Sequence, residues 1–205
     1  TITEQIGQAR QLVAAKNPSG QYIAYFQAYT NTYAPLPVLE RVFFEAASHP
    51  DIAALSIATR PDCLGREVLS LLKRLSEIKP VTVELGLQTI HENSAAFVRR
   101  GYPLNVYEEA VWALDSAGID FVTHLILGLP GETLPDMLAT VHHVCTLPLS
   151  GLKLQLLYVL RGTDLATHFA AHPQAYPLMD FPTYLDALLA CLSIIPEDIV
   201  IHRLT

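Results

Sequence analysis

Lysine and arginine are scarce in this chain, 13 against 20 aspartates and glutamates, for a formal net charge of −7. A surface that grips nucleic-acid backbone at large is a basic patch, so this balance gives such a role no support of its own. Cysteine is scarcer still. Cys63, Cys145 and Cys191 are three in number and far apart, which excludes a disulfide framework or a closely spaced metal motif and leaves small apolar thiols in a reducing compartment. No apolar run reaches the roughly 18 residues of a membrane span, and no charged-then-apolar leader opens the chain. The expected location is therefore cytoplasmic, with no membrane partner. Repeats, low-complexity tracts and linkers are missing too, so residues 1–205 are expected to form a single domain.

What is there is apolar periodicity: 51% of the residues are hydrophobic and 16% charged, enough for a sizeable core. Thr3 to Lys16 reads as an amphipathic helix with Thr3 as its N-cap, and a turn at NPSG leads into a strand over Tyr22 to Gln27. The alternation then continues. Helices are expected over Pro37–Ala47, Gly65–Ile78, Asn105–Ala117, Thr133–Cys145 and Phe181–Ser193, and strands over Ala53–Ala58, Val81–Gln88, IDFVTHLILG, LKLQLLYVL and IVIHRL. Gly118 stands where a helix C′ residue belongs. Near-continuous apolar strands between helices predict a parallel sheet covered on both faces, with right-handed crossovers. Six strands are too few for an eightfold barrel, and a helix that opens a βα series implies a strand before it.

Ligands of parallel α/β folds sit at the carboxyl ends of strands, and here those ends are polar. They carry QAYTNTY, TRPD, then Glu84, Gln88 and Thr89, then His124 with the turn GLPGET, then Tyr158, Arg161, Gly162 and Thr163, and finally His202 and Arg203. The turn in HLILGLPGET lacks the lysine and hydroxyl of a phosphate loop, and its glycine spacing is only half a dinucleotide fingerprint. Plainer readings stand beside these. QAYTNTY is also an ordinary polar turn, His124 a hydrogen-bonded core histidine, Arg60 and Asp62 an ion pair across a turn, and Glu132 a cap for the next helix. His142 and His143, adjacent on a helix, do not converge on a metal.

VELGLQTIHE, RRGY and HLILGLPGET, with YFQAYTNTYAP, SIATRPDCL and IHRLT in order, resemble the core of the radical S-adenosylmethionine (radical SAM) superfamily, of the elongator-protein, MiaB and NifB type. The resemblance covers nearly the whole chain. It implies a partial (β/α)6 TIM-like barrel of parallel strands with the first strand missing from this chain. It also implies S-adenosylmethionine and a [4Fe-4S] cluster as cofactors, and reductive cleavage to a 5′-deoxyadenosyl radical that takes hydrogen from an unknown substrate. A flavodoxin or ferredoxin is implied as electron donor, and tRNA as one candidate substrate. The family's C-x-x-x-C-x-x-C cluster loop does not occur here; either the chain begins after that loop or the cluster has been lost, and the ordered remaining motifs favour the former. On the former reading the chain alone is inactive.

Carried over position by position, Ala28, Tyr29 and Thr30 match the segment that receives the methionine ammonium, with Tyr29 in place of a glycine. Gln88 and Arg100 match positions at the cofactor's polar groups, Arg100 suited to its carboxylate, with Glu84 on the inward strand position before them. His124 stands at a ribose position. Ile126, Leu127, Gly128 and Leu129 match the adenine wall and turn, faced by Tyr158 and Val159. Arg60, Asp62, Arg161 and His202 are candidates on the substrate side. Two other functions compete: a cluster-less binding module, and a lyase or aldolase barrel, which needs a strand-end lysine or a metal cluster that the sequence does not offer.

Overall fold

Thr1, rather than Thr3, caps the first helix: its hydroxyl accepts from Glu4 N and the Glu4 carboxylate accepts from Thr1 N, so α1 runs Ile2–Val13. A computed structural model describes residues 1–204 apart from 16–19, 28 and 173–177. Lys16, most of the NPSG turn, Ala28 and much of HPQAYP thus lie outside the described residues. The remaining elements are β1 (Tyr22–Phe26), α2 (Leu36–Ala47), β2 (Ile52–Thr59), α3 (Arg66–Ser76), β3 (Val81–Gln88), α4 (Glu92–Phe97), α5 (Leu104–Ala117), β4 (Asp120–Leu127), α6 (Leu134–Cys145), β5 (Gly151–Leu156), α7 (Asp164–Ala171), α8 (Phe181–Leu192) and β6 (Val200–Arg203). The strands form one six-stranded sheet in sequential order. β1 with β2, β2 with β3, and β5 with β6 pair in parallel, as strand–helix–strand alternation requires.

Residue packing divides the chain into two compact units, residues 1–86 with 106–122, and residues 87–105 with 123–205. In the first, Leu55, Ile57, Val83 and Leu85 of β2 and β3 are fully buried, and Phe26 meets Phe43 of α2 edge-on at 5.1 Å. The alternate residues, Tyr25, Ser56, Ala58, Thr82 and Glu84, share the other face, since Tyr25 pairs with Ser56 and Ala58 with Glu84. Gly118, at φ +68°, ends α5 as expected, with Ile119 N reaching back to Leu114 O at 3.0 Å.

Three elements escaped the periodicity: a 3-10 turn at Pro61–Cys63, the six-residue α4, and α7, whose cap is Thr163 Oγ1 accepting from Ala166 N at 3.2 Å. In the second unit β5 stops at Leu156, four residues before its apolar run ends. Leu157 N still donates to Leu127 O at 3.0 Å, but Tyr158 and Leu160 stand in solvent beyond the ladder.

Candidate functional site

In the first unit the loop after β1 is braced against the end of β2. Asn31 Nδ2 donates to Phe26 O and Ala58 O, both at 2.9 Å, and to Tyr29 O at 3.4 Å; Thr32 Oγ1 meets Thr59 Oγ1 at 2.6 Å and Cys63 O at 2.7 Å. The polar run is thus partly a structural turn. Tyr29 stands 98% exposed at φ +62°, in the left-handed conformation that a glycine adopts without strain. Tyr29 thus keeps a backbone that glycine favours. Thr30 is half-buried, and Thr30 O accepts from Tyr33 N at 3.1 Å. Arg60 and Asp62 form the fork expected of them, at 2.9 and 2.7 Å, and the guanidinium holds the Asp62 carboxyl below its usual range.

Glu84 is 5% exposed, and its two oxygens accept from Ser56 Oγ at 2.6 Å and Tyr25 Oη at 2.8 Å. A buried carboxylate needs such donors, and the parallel register supplies them from β1 and β2. Neither donor was legible in the sequence, because the pairing register decides which hydroxyls share the carboxylate's face.

In the second unit Gln88 ends β3 at φ +66° and is half-buried. Arg100, carried over as a partner for the cofactor carboxylate, is engaged with protein acceptors. Its guanidinium donates to Tyr102 O at 2.8 Å, Thr89 O at 2.7 Å and Glu92 Oε1 at 2.8 Å, with the side chain 1% exposed. It locks the loop that follows Gln88 and does not present itself to solvent. Arg99 beside it, at φ +58°, is the C′ residue of α4: its N–H returns to Ala96 O and that of Arg100 to Ala95 O. Glycine is the usual occupant there.

His124 and Ile126 share one face of β4 and are half-buried, whereas Leu127 and Leu129 are 2% exposed each, in the core. Strand alternation gives the reason: in the expected adenine wall only Ile126 and Gly128 keep open surface. Gly128, at φ +80°, does allow a close approach, but by methionines. Its N–H points to Met137 Sδ at 3.4 Å, and a Cβ there would meet Met179 Sδ at 3.1 Å. Glu132 does not cap α6; Thr133 and the Asp136 carboxylate form that capping box. Instead Glu132 Oε1 is buried with no hydrogen-bond partner among the described residues. Sequence reading missed it. Tyr158, Val159 and Arg161 lie in the loop past β5, and His202 is exposed on β6.

Among the described residues no three metal-ligating side chains converge. Burial pushes the thiols of Cys145 and Cys191 up to about 11, so both are protonated at neutral pH. No helix among the described residues is long and apolar enough to cross a membrane.

The Radical SAM superfamily model matches residues 2–144 and the Radical_SAM C-terminal domain model residues 149–205. Over 186 residues the chain is 40% identical to the uncharacterized protein YtqA of Bacillus subtilis, covering 91% of this chain and 57% of that protein. Over 207 residues it is 32% identical to protein YhcC of Escherichia coli strain K12, covering 100% of this chain and 65% of that protein. It therefore spans about three-fifths of the length of these curated relatives. Elp3 of the archaeon Methanocaldococcus infernus, solved with an N-terminal deletion, superposes with a TM-score of 0.79 at 17% identity over 95% of this chain and 50% of that one. That likeness is one of fold: a partial TIM-like barrel of parallel strands.

Proposed function

The chain belongs to the radical SAM superfamily, and from that premise we propose that it is the S-adenosylmethionine-holding part of a radical SAM enzyme. In the whole protein, S-adenosylmethionine beside a [4Fe-4S] cluster would supply a 5′-deoxyadenosyl radical for hydrogen abstraction, with a flavodoxin or ferredoxin as electron source. The three cysteines of this chain lie on separate elements and do not fit such a cluster. No step is therefore assigned to them.

The described residues do fit the nucleoside cofactor, and one observation carries this. Glu132 Oε1 is buried and unsatisfied in the turn that β4 leads into, and a buried acceptor left without a donor is costly. A hydroxyl or ammonium of the cofactor would satisfy it once the turn opens enough to expose the oxygen. His124 and Ile126, on the half-buried face of the same strand, would meet the ribose and the adenine. Arg100 acts as a positioning residue, holding the chain that follows Gln88.

Calorimetric titration of S-adenosylmethionine into the whole protein tests the assignment. Glu132→Gln and His124→Ala are each expected to weaken binding by about tenfold, the scale of one lost hydrogen bond to a charged or buried group. Unchanged affinity in both would remove the site from this turn. Retained binding without cofactor cleavage in the cluster-loaded protein would favour the binding-module reading. A tRNA substrate draws no support from the chain's net charge of −7.

A further inference from the structure

Within the second unit a cavity of about 340 Å³ lies between the end of α4 and the start of α7, lined by Phe97, Arg99, Thr163, Asp164, Leu165 and His168 among others. One wall is the end of α4, the first helix after β3, and the other is the loop and helix that follow the carboxyl end of β5, where ligands of parallel α/β folds enter. We propose that this cleft binds an anionic group of the substrate, a carboxylate or a phosphate, with Arg99 as anchor and Asp164 as the resident carboxylate that the ligand displaces. It rests on the proposed function only in calling the bound group the substrate's.

Arg99 occupies a left-handed C′ position at φ +58°, where glycine would be free of strain, so its backbone gains nothing from being arginine. Its side chain is what the position uses. Arg99 Nη1 reaches Asp164 Oδ2 at 2.6 Å, yet the two side chains are 77% and 79% exposed, and such a pair contributes little to stability. The pair does show that the guanidinium donates to a carboxylate at the cavity's mouth while remaining open to solvent. Thr163 caps α7, whose amino end adds its partial positive charge on the same side. Phe97 and His168, edge-on at 5.1 Å, and Leu165 give the remaining wall an apolar, ring-lined character. The chemistry suited to this wall is an acid carried on a planar or apolar body.

The test uses the whole protein and three probes: inorganic phosphate, benzoate and a short single-stranded RNA. Phosphate and benzoate are expected to shift the Arg99 Nε–H and Ala166 amide resonances saturably. Asp164→Asn, which removes the competing carboxylate, should tighten both, and Arg99→Asn should weaken both by about tenfold or more. Asparagine tolerates the left-handed conformation, so this variant should keep its melting temperature and its affinity for S-adenosylmethionine. No saturable shift, or shifts that survive Arg99→Asn, would overturn the proposal. So would RNA binding lost in Arg99→Asn while the small anions fail to bind. Phosphate binding in a protein that does not take S-adenosylmethionine would uphold the cleft and sink the cofactor assignment alone.

Discussion

Tyr29, Gln88 and Arg99 hold positive φ angles without being glycine, and each stands at or just past the end of a strand or helix. For Tyr29 the cost is separable from any contact, since its ring is almost wholly in solvent. Tyr29→Gly is expected to stabilise the protein by about 1 kcal/mol through relief of that conformation, measured by urea unfolding. Arg100 lies at the opposite extreme. Replacing it with methionine leaves Thr89 O and Tyr102 O without this donor and the Glu92 carboxylate with Leu104 N alone, an expected loss of about 3 kcal/mol in the same measurement. Arg100→Lys should rescue little, because an ammonium cannot span three fixed acceptors. The sequence foretold the Arg60–Asp62 pair, whose partners are two residues apart. It did not foretell the acceptors of Arg100, because two of them are backbone carbonyls, which residue types do not announce.

Among the elements, most strands and helices fall within a residue or two of their sequence reading, since buried faces impose their period directly on the chain. β3 matches at both ends, Val81 and Gln88. β5 overran because apolar character continues past Leu156 where pairing does not, and α4 was too short for any period to show. The turn after β4 offers a sharp test of packing. Gly128→Ala faces both a left-handed φ and a Met179 sulfur at 3.1 Å, and should cost about 2 kcal/mol. Adding Met179→Ala in a double-mutant cycle should recover the steric part and leave the conformational part, a coupling that calorimetric melting would read.

For the molecule as a whole, the thiols of half-buried Cys145 and buried Cys191 set an alkaline limit. The folded state raises Cys145 and Cys191 from 9.0 to about 11, so the stability they lend is complete below pH 9 and is lost as pH rises through 11. The melting temperature should fall across that window, and Cys191→Ala should flatten part of the fall. Family and parallel fold were legible from ordered motifs spread over nearly the whole chain. The orphan oxygen of Glu132 was not, because burial without a partner is a property of packing alone. Whether this barrel holds S-adenosylmethionine for radical chemistry is read from 5′-deoxyadenosine release. The whole protein, reconstituted anaerobically with iron and sulfide, reduced and given S-adenosylmethionine, should yield 5′-deoxyadenosine by mass spectrometry, and Glu132→Gln should yield markedly less. A reduced, cluster-loaded protein that binds the cofactor and releases none would contradict the account.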